Sequence, residues 1–217
     1  MTTLTFPCPL CASDHILFYH EDKFRPFFQC QQCKLVFAHP QSLPSLIREK
    51  REYDLHENHA EDEGYCRFLR RAITPVLANV SLPAQGLDFG CGPTAVLAGL
   101  LEQEGYSMTV FDPIYANDSA VLNGRHYDFI TCTEAIEHFH TPAKELHILN
   151  QLIKPGGLLV FMTKRVTSLQ GFSTWHYKND QTHVSFFSDE TFFYLGKKYG
   201  FEVTLSGKDI VLLKKRP

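Results

Sequence analysis

Short apolar runs alternate with stretches of helical periodicity over the last 130 or so residues of the chain. Leu87-Asp88-Phe89, Ser107 to Phe111, Tyr127 to Cys132 and Leu158 to Thr163 predict strands, and Thr94 to Glu104 predicts a helix that stops at Gly105. Thr141 stands before Pro142, an N-cap followed by a first-turn proline, and predicts a helix running to Pro155-Gly156-Gly157. Ser188 predicts the start of another, with Asp189 and Glu190 in its first turn, Lys197 and Lys198 in its last, and Gly200 as its end. Phe201 to Leu205 and Ile210 to Leu213 then predict an antiparallel hairpin. The alternation specifies an α/β fold: a doubly wound, mostly parallel sheet with an antiparallel C-terminal hairpin.

Upstream the pattern changes. Leu43, Leu46, Ile47 and Tyr53 predict one short helix, and the acidic, His-containing stretch Asp54 to Gly64 reads as a loop. Tyr65 to Val80 predicts a second helix with Phe68, Leu69, Ile73, Val76 and Leu77 on one face. Before these lie two β-prone aromatic runs, His15 to Tyr19 and Arg25 to Gln29, bracketed by Cys8-Pro-Leu-Cys11 and Cys30-Gln-Gln-Cys33. Two C-x2-C turns supply four thiolates, enough to close a tetrahedral zinc site with no position left for chemistry. Roughly 40 residues bury too little apolar surface to fold unaided, so a structural zinc would supply much of the free energy. The bland alternatives are two disulfides, which fit poorly with the absence of an export signal, and a redox C-x-x-C, which does not normally come as a matched pair. Cys66, Cys91 and Cys132 stand alone and read as small hydrophobes. The expected division is a zinc ribbon over 1–40, a helical connector or lid over 41–84, and the α/β domain over 85–217.

Composition removes some functions. With 21 Lys and Arg against 24 Asp and Glu the net charge is −3, so a protein held on nucleic acid mainly by phosphate charge is not expected. Lys214-Lys215-Arg216, the one basic cluster, reads as a solvated tail. No run approaches the roughly 20 apolar residues that span a bilayer. Met1 to Leu10 contains no basic residue ahead of an apolar run, so the expected location is cytoplasmic, with no membrane partner.

Leu87-Asp88-Phe89-Gly90-Cys91-Gly92 is a strand, an acid and a G-x-G turn leading into a helix, a place where backbone approaches a ligand closely. Asp112 ends the next strand, where an acid can grip ribose hydroxyls. A dehydrogenase is disfavoured, because G-x-G-x-x-G is incomplete and the acid precedes the loop. "LDFGCG", the acid of "VFDP", "YDFITCTEAIEHF" and "LIKPGGLLVFMT", in that order, resemble the class I S-adenosylmethionine-dependent methyltransferases. The resemblance runs from about Phe68 to the C-terminus and implies a Rossmann-like fold. It implies that Asp88, Phe89, Gly90, Cys91, Gly92, Asp112, Pro113 and Thr133 bind the cofactor, with Asp88 near its amino group and Asp112 on its ribose. Two departures stand out: Pro93-Thr94 replaces the third glycine, and only fourteen residues (113–126) separate Asp112 from Tyr127.

Methyl transfer is an in-line displacement, so much of its catalysis is alignment, with a base or metal needed where the acceptor must lose a proton. Glu134, Glu137 and His138 have i, i+3, i+4 spacing, which predicts one face of a helical turn, and His183 lies after the next strand. This E-x-x-E-H resembles the metal motif of ubiquinone-biosynthesis O-methyltransferases and, with the later His, that of small-RNA 3′-end 2′-O-methyltransferases. Glu134, Glu137, His138 and His183 are therefore candidate ligands for a divalent cation such as magnesium. Glu137, His138 and His183 are equally candidate catalytic residues without metal, with either imidazole as the base. His176 is a weaker candidate, and Tyr53, Tyr65, Trp175 and Tyr177 are candidates for an aromatic rim.

Three functions compete. The first is methyl transfer to a hydroxyl of a small molecule. The second is methylation of RNA or a translation component docked on the ribbon, where Lys23, Arg25 and Lys34 would meet phosphates. The third is a module that binds the cofactor without turnover.

Overall fold

Residues 6–55, 59–124 and 126–217 are described by a computed structural model, and they build two sheets that share no strand. The first begins with β1 (Ile16–Glu21), β2 (Pro26–Cys30) and β3 (Val36–Ala38), an antiparallel meander. Two helices follow, α1 (Leu46–Tyr53) and α2 (Glu63–Asn79). The predicted loop of 54–64 is thus interrupted at its end by the first turn of α2, whose N–H groups are capped by Asp62; residues 56–58 lie outside the described ones.

The α/β part runs β4 (Gln85–Phe89), α3 (Val96–Gln103), β5 (Ser107–Phe111), β6 (Tyr127–Thr133), α4 (Pro142–Leu152) and β7 (Ile153–Met162). After it come α5 (Leu169–Ser173), β8 (Ser185–Phe186), α6 (Asp189–Tyr199), β9 (Phe201–Ser206) and β10 (Ile210–Lys215). The second sheet has the order β5-β4-β6-β7-β10-β9. Its first four strands are parallel, and β10 pairs antiparallel with both β7 and β9. Strand alternation divides β7 between two cores: Leu158, Val160 and Met162 pack with α2 and α3, while Leu159 and Phe161 pack with α4 and α6.

Residues 164–188, between β7 and α6, hold α5 and β8, and β8 pairs with β3 as the fourth strand of the first sheet. Its inner strands are consequently buried on both faces, while the edge strand β1 leaves Leu17 and Phe18 exposed. Phe28 and Phe37 join Phe187 and Phe192 in one core, whereas Phe27, Val36 and Phe186 join Phe172 and Tyr177 in another.

Some local expectations change. Thr141 occupies the N-cap of α4 but its side chain caps no N–H, whereas Ser188 forms a capping box with Thr191. Leu77 is half exposed, and Leu46 and Ile47 face outward because α1 turns its polar side to the molecule. Lys214 and Lys215 belong to β10 rather than a tail, and Lys215 Nζ donates to the Asn150 and Ile153 carbonyls. Among the described residues no helix is long and apolar enough to cross a membrane.

Candidate active site

A cavity of about 830 Å³ opens at the carboxyl ends of β4, β5 and β6, where ligands bind in doubly wound sheets. All eight residues expected to hold the cofactor line it: Asp88, Phe89, Gly90, Cys91, Gly92, Asp112, Pro113 and Thr133. The turn after β4 needs its glycines. Gly90 has φ +82° and a Cβ there would sit 2.6 Å from that of Ala135; Gly92 has φ +67° with open space beside it. The Asp112 carboxylate accepts the N–H of Gly92 at 3.1 Å and those of Ile114 and Tyr115 at 2.8 and 3.0 Å. Asp88 is buried and accepts the Thr131 hydroxyl at 2.9 Å; burial pushes its carboxyl up to about 7 despite that bond.

Beyond the cofactor loop, Glu137, His138 and His183 bring one ligand atom each within 4.8 Å of one another. The chain does not make the expected helical turn. Glu134 is left-handed at φ +47°, and Ile136–His138 forms a 3-10 turn. Glu134 therefore falls outside the three-residue cluster and lines the cavity beside it. Burial, reinforced by the Glu137 charge, pushes its carboxyl up to about 8.

Each imidazole of the cluster is held from behind. His138 Nδ1 lies 3.0 Å from the Thr182 carbonyl and His183 Nδ1 lies 2.7 Å from the Tyr177 carbonyl. A carbonyl only accepts, so both Nδ1 atoms carry a proton; in the neutral ring this leaves the lone pair on Nε2, and the Asp180 carboxylate lies 3.7 Å from that of His183. Burial and the neighbouring His138 push the His183 imidazolium down, which favours the neutral, ligating form. Glu137 is fully buried; one carboxylate oxygen accepts the Tyr177 hydroxyl and the other, Oε2, has no hydrogen-bond partner. Two oriented imidazoles and an unsatisfied buried carboxylate oxygen fit a divalent cation. Imidazole nitrogen suits zinc, iron or nickel and the carboxylate also admits manganese, whereas magnesium prefers an all-oxygen shell.

The helix α1 lines the cavity with Leu46, Glu49 and Tyr53. Glu49 accepts from His140 at 2.8 Å, Asp54 accepts the Tyr115 hydroxyl at 2.7 Å, and the Tyr53 ring meets His138 edge-on at 5.1 Å. Tyr53, Tyr65 and Tyr177 line the cavity, as does His176, which lies 3.3 Å from Lys164 Nζ. Trp175 does not; it lines a second cavity with Phe172 and Arg165. Glu49, His140 and Lys164 also line the cavity, and Tyr115 bonds the end of α1, although no sequence motif marks them. The one usable signal was Glu49 and Tyr53, four apart and hence on the same helix face.

The four N-terminal cysteines converge as predicted. Cys8 and Cys33 sulfurs are 3.5 Å apart, those of Cys11 and Cys30 are 3.4 Å apart, and all are free thiols. The two turns repeat one geometry. Ala12 and Lys34 are both left-handed, and their N–H groups return to Cys8 and Cys30 carbonyls at 3.0 Å each. A tetrahedron with zinc–sulfur bonds of about 2.3 Å has edges of about 3.8 Å, so the four sulfurs fit zinc closely.

Residues 58–206, more than half of the chain, match the sequence profile of a methyltransferase domain. The chain belongs to this methyltransferase family. Its fold is shared with solved class I S-adenosylmethionine-dependent methyltransferases. The 1,6-didemethyltoxoflavin-N1-methyltransferase of Burkholderia thailandensis, solved with S-adenosylhomocysteine, superposes at a TM-score of 0.58 and 15% identity, over 92% of this chain and 99% of that one. An O-methyltransferase family protein of the same organism gives 0.53 at 15% identity, over 81% and 64%. In sequence, the ubiquinone biosynthesis O-methyltransferase of Colwellia psychrerythraea is 33% identical over 91 residues, 42% of this methyltransferase and 37% of the relative. That of Yersinia pestis is 30% identical over 131 residues, 46% and 53% respectively. This methyltransferase thus spans only about a third to a half of the curated relatives it matches.

Proposed function

We propose that this chain transfers the methyl group of S-adenosylmethionine to a hydroxyl of a small molecule, assisted by a divalent cation on Glu137, His138 and His183. The carrying observation is the trio itself: two imidazoles each held through Nδ1 by a carbonyl, beside the orphaned Oε2 of Glu137, at a cofactor cavity. The partial match to ubiquinone biosynthesis O-methyltransferases supports oxygen as the acceptor atom.

Asp88, the glycine turn and Asp112 would fix the cofactor, and the tyrosine rim would orient a flat acceptor above it. A bound cation would polarise the acceptor hydroxyl and lower its pKa. The hydroxyl oxygen then forms the new C–O bond as the S–CH3 bond breaks. S-adenosylhomocysteine leaves with the sulfur electron pair. The hydroxyl proton passes to a base in the cleft, for which Glu134 is our candidate. We further propose one structural zinc on Cys8, Cys11, Cys30 and Cys33. The alternative of RNA docking through Lys23, Arg25 and Lys34 loses Arg25, whose guanidinium is buried and bonded within the protein.

Calorimetric titration with S-adenosylmethionine, followed by turnover on a panel of hydroxylated aromatics with and without Mn²⁺, tests the reading. Expected are cofactor binding and Mn²⁺-dependent methyl-ether formation that Glu137→Gln abolishes. Tight cofactor binding with no hydroxyl methylation across the panel would sink it.

A further inference from the structure

We infer that Arg25, on the ribbon hairpin, is a positioning residue for His183, so that the ribbon forms part of the frame of the active site. Arg25 is only 3% exposed. Its Nη1 donates to the Gln181 carbonyl at 2.7 Å, and its Nη2 to the Asp180 and His183 carbonyls at 2.9 and 2.8 Å, with the Lys178 carbonyl at 3.3 Å. Four carbonyls of one turn therefore converge on one guanidinium, three of them sharing the two N–H groups of Nη2, while the buried Nε has no partner. Stripped of it, the Lys178, Gln181 and His183 carbonyls would lose this donor and the Asp180 carbonyl would keep only the His183 N–H at 3.3 Å, so the turn would lose its brace.

The same turn is clamped at its far end. Ala38 donates its N–H to the Val184 carbonyl at 2.9 Å, and Val184 donates to the Glu137 carbonyl at 2.8 Å. One backbone path thus runs from ribbon strand β3, through the residue after His183, to the turn carrying Glu137 and His138. A buried guanidinium is a weak device for stability, because desolvation offsets much of what its bonds return. What it supplies here is a defined direction for the His183 ring, whose Nδ1 is bonded to the Tyr177 carbonyl at 2.7 Å just before the same turn.

The inference rests on the cation reading for only one of its two readouts. Zinc-loaded wild type, Arg25→Lys and Arg25→Ala are compared for cofactor affinity and zinc content as folding controls; Arg25→Lys keeps the charge where Arg25→Ala fails to fold. The first readout is the His183 imidazole signal in long-range ¹H–¹⁵N spectra, assigned by its loss in His183→Ala, with the exposed His147 as reference. The second is Mn²⁺ affinity, a cation that the thiolate site disfavours. Expected in the variants are a displaced His183 signal, an unmoved His147 signal, Mn²⁺ binding at least tenfold weaker, cofactor affinity within twofold of wild type, and recovery of Arg25→Ala by added methylguanidinium. An unmoved His183 signal in a folded variant overturns the inference, whatever Mn²⁺ does. If wild type binds no Mn²⁺ yet the His183 signal moves, the cation reading falls and the positioning role stands.

Discussion

The Asp112 carboxylate accepts the backbone N–H of Gly92 at 3.1 Å, so the acid that ends β5 also holds the loop that follows β4. Its carboxylate has lone pairs left for ribose hydroxyls while it fixes the backbone that faces the rest of the cofactor. Asp112→Ala removes both contributions. Hydrogen bonds to a charged group are worth about 1.5–3 kcal/mol, so the expected weakening of S-adenosylmethionine binding by calorimetry is about 10- to 100-fold. Unchanged affinity would mean that Asp112 organises the loop without touching the cofactor.

Gly90 and Gly92 separate two costs of adding a methyl group. Both have positive φ, but only at Gly90 does a Cβ collide, at 2.6 Å from Ala135. Gly90→Ala is expected to cost about 1–3 kcal/mol of overpacking beyond the strain that both share. Thermal melts of the two variants should place Gly90→Ala several degrees below Gly92→Ala; equal melting points would contradict the collision.

Asp88 predicts a pH effect whose sign follows from its burial. Its carboxyl stands at about 7 in the folded chain against an ordinary 3.8, so the folded state holds a proton that the unfolded state has lost between those values. Stability from this group is full below about 3.8 and falls as pH rises through about 7. A cofactor ammonium beside Asp88 favours the carboxylate, so binding near pH 6.5 should release a proton. Calorimetry in buffers of different ionisation enthalpy detects it, and Asp88→Asn should abolish it.

The thiol cluster predicts one zinc per chain by mass spectrometry of metals. Cys30→Ser should lower the melting temperature of the whole protein in a single transition, because Cys30 and Cys33 share one core with Phe187 and Phe192. A metal-free, fully folded protein refutes the zinc.

The cofactor side of the cleft was legible because its determinants are contiguous. A strand, an acid and two glycines dictate the turn locally, and all eight expected residues line one cavity. The Cys pairs were legible for the same reason. The Glu-His segment was not read correctly in detail: spacing implied a helical face, but Glu134 turned left-handed and left the cluster to Glu137, His138 and His183. Arg25 was misread altogether. Nothing near it in sequence announces carbonyl partners in residues 178–183, and a basic residue in a hairpin looks like a solvent-facing charge until tertiary packing encloses it.

The pairing of β3 with β8 bears on how the chain is made. Arg25 and the His183 carbonyl it grips are 158 residues apart, and synthesis proceeds from the N-terminus at about 5–20 residues per second. The ribbon strands emerge well before β8, so their sheet lacks its last strand until residues 185 and 186 have left the ribosome. For those seconds β3 presents an unpaired edge next to Phe27 and Phe37, the kind of surface on which chaperones act and misassembly begins. Completion of that sheet and assembly of the His183 turn are then one late event, so a nascent chain gains its fourth strand and its full active site together.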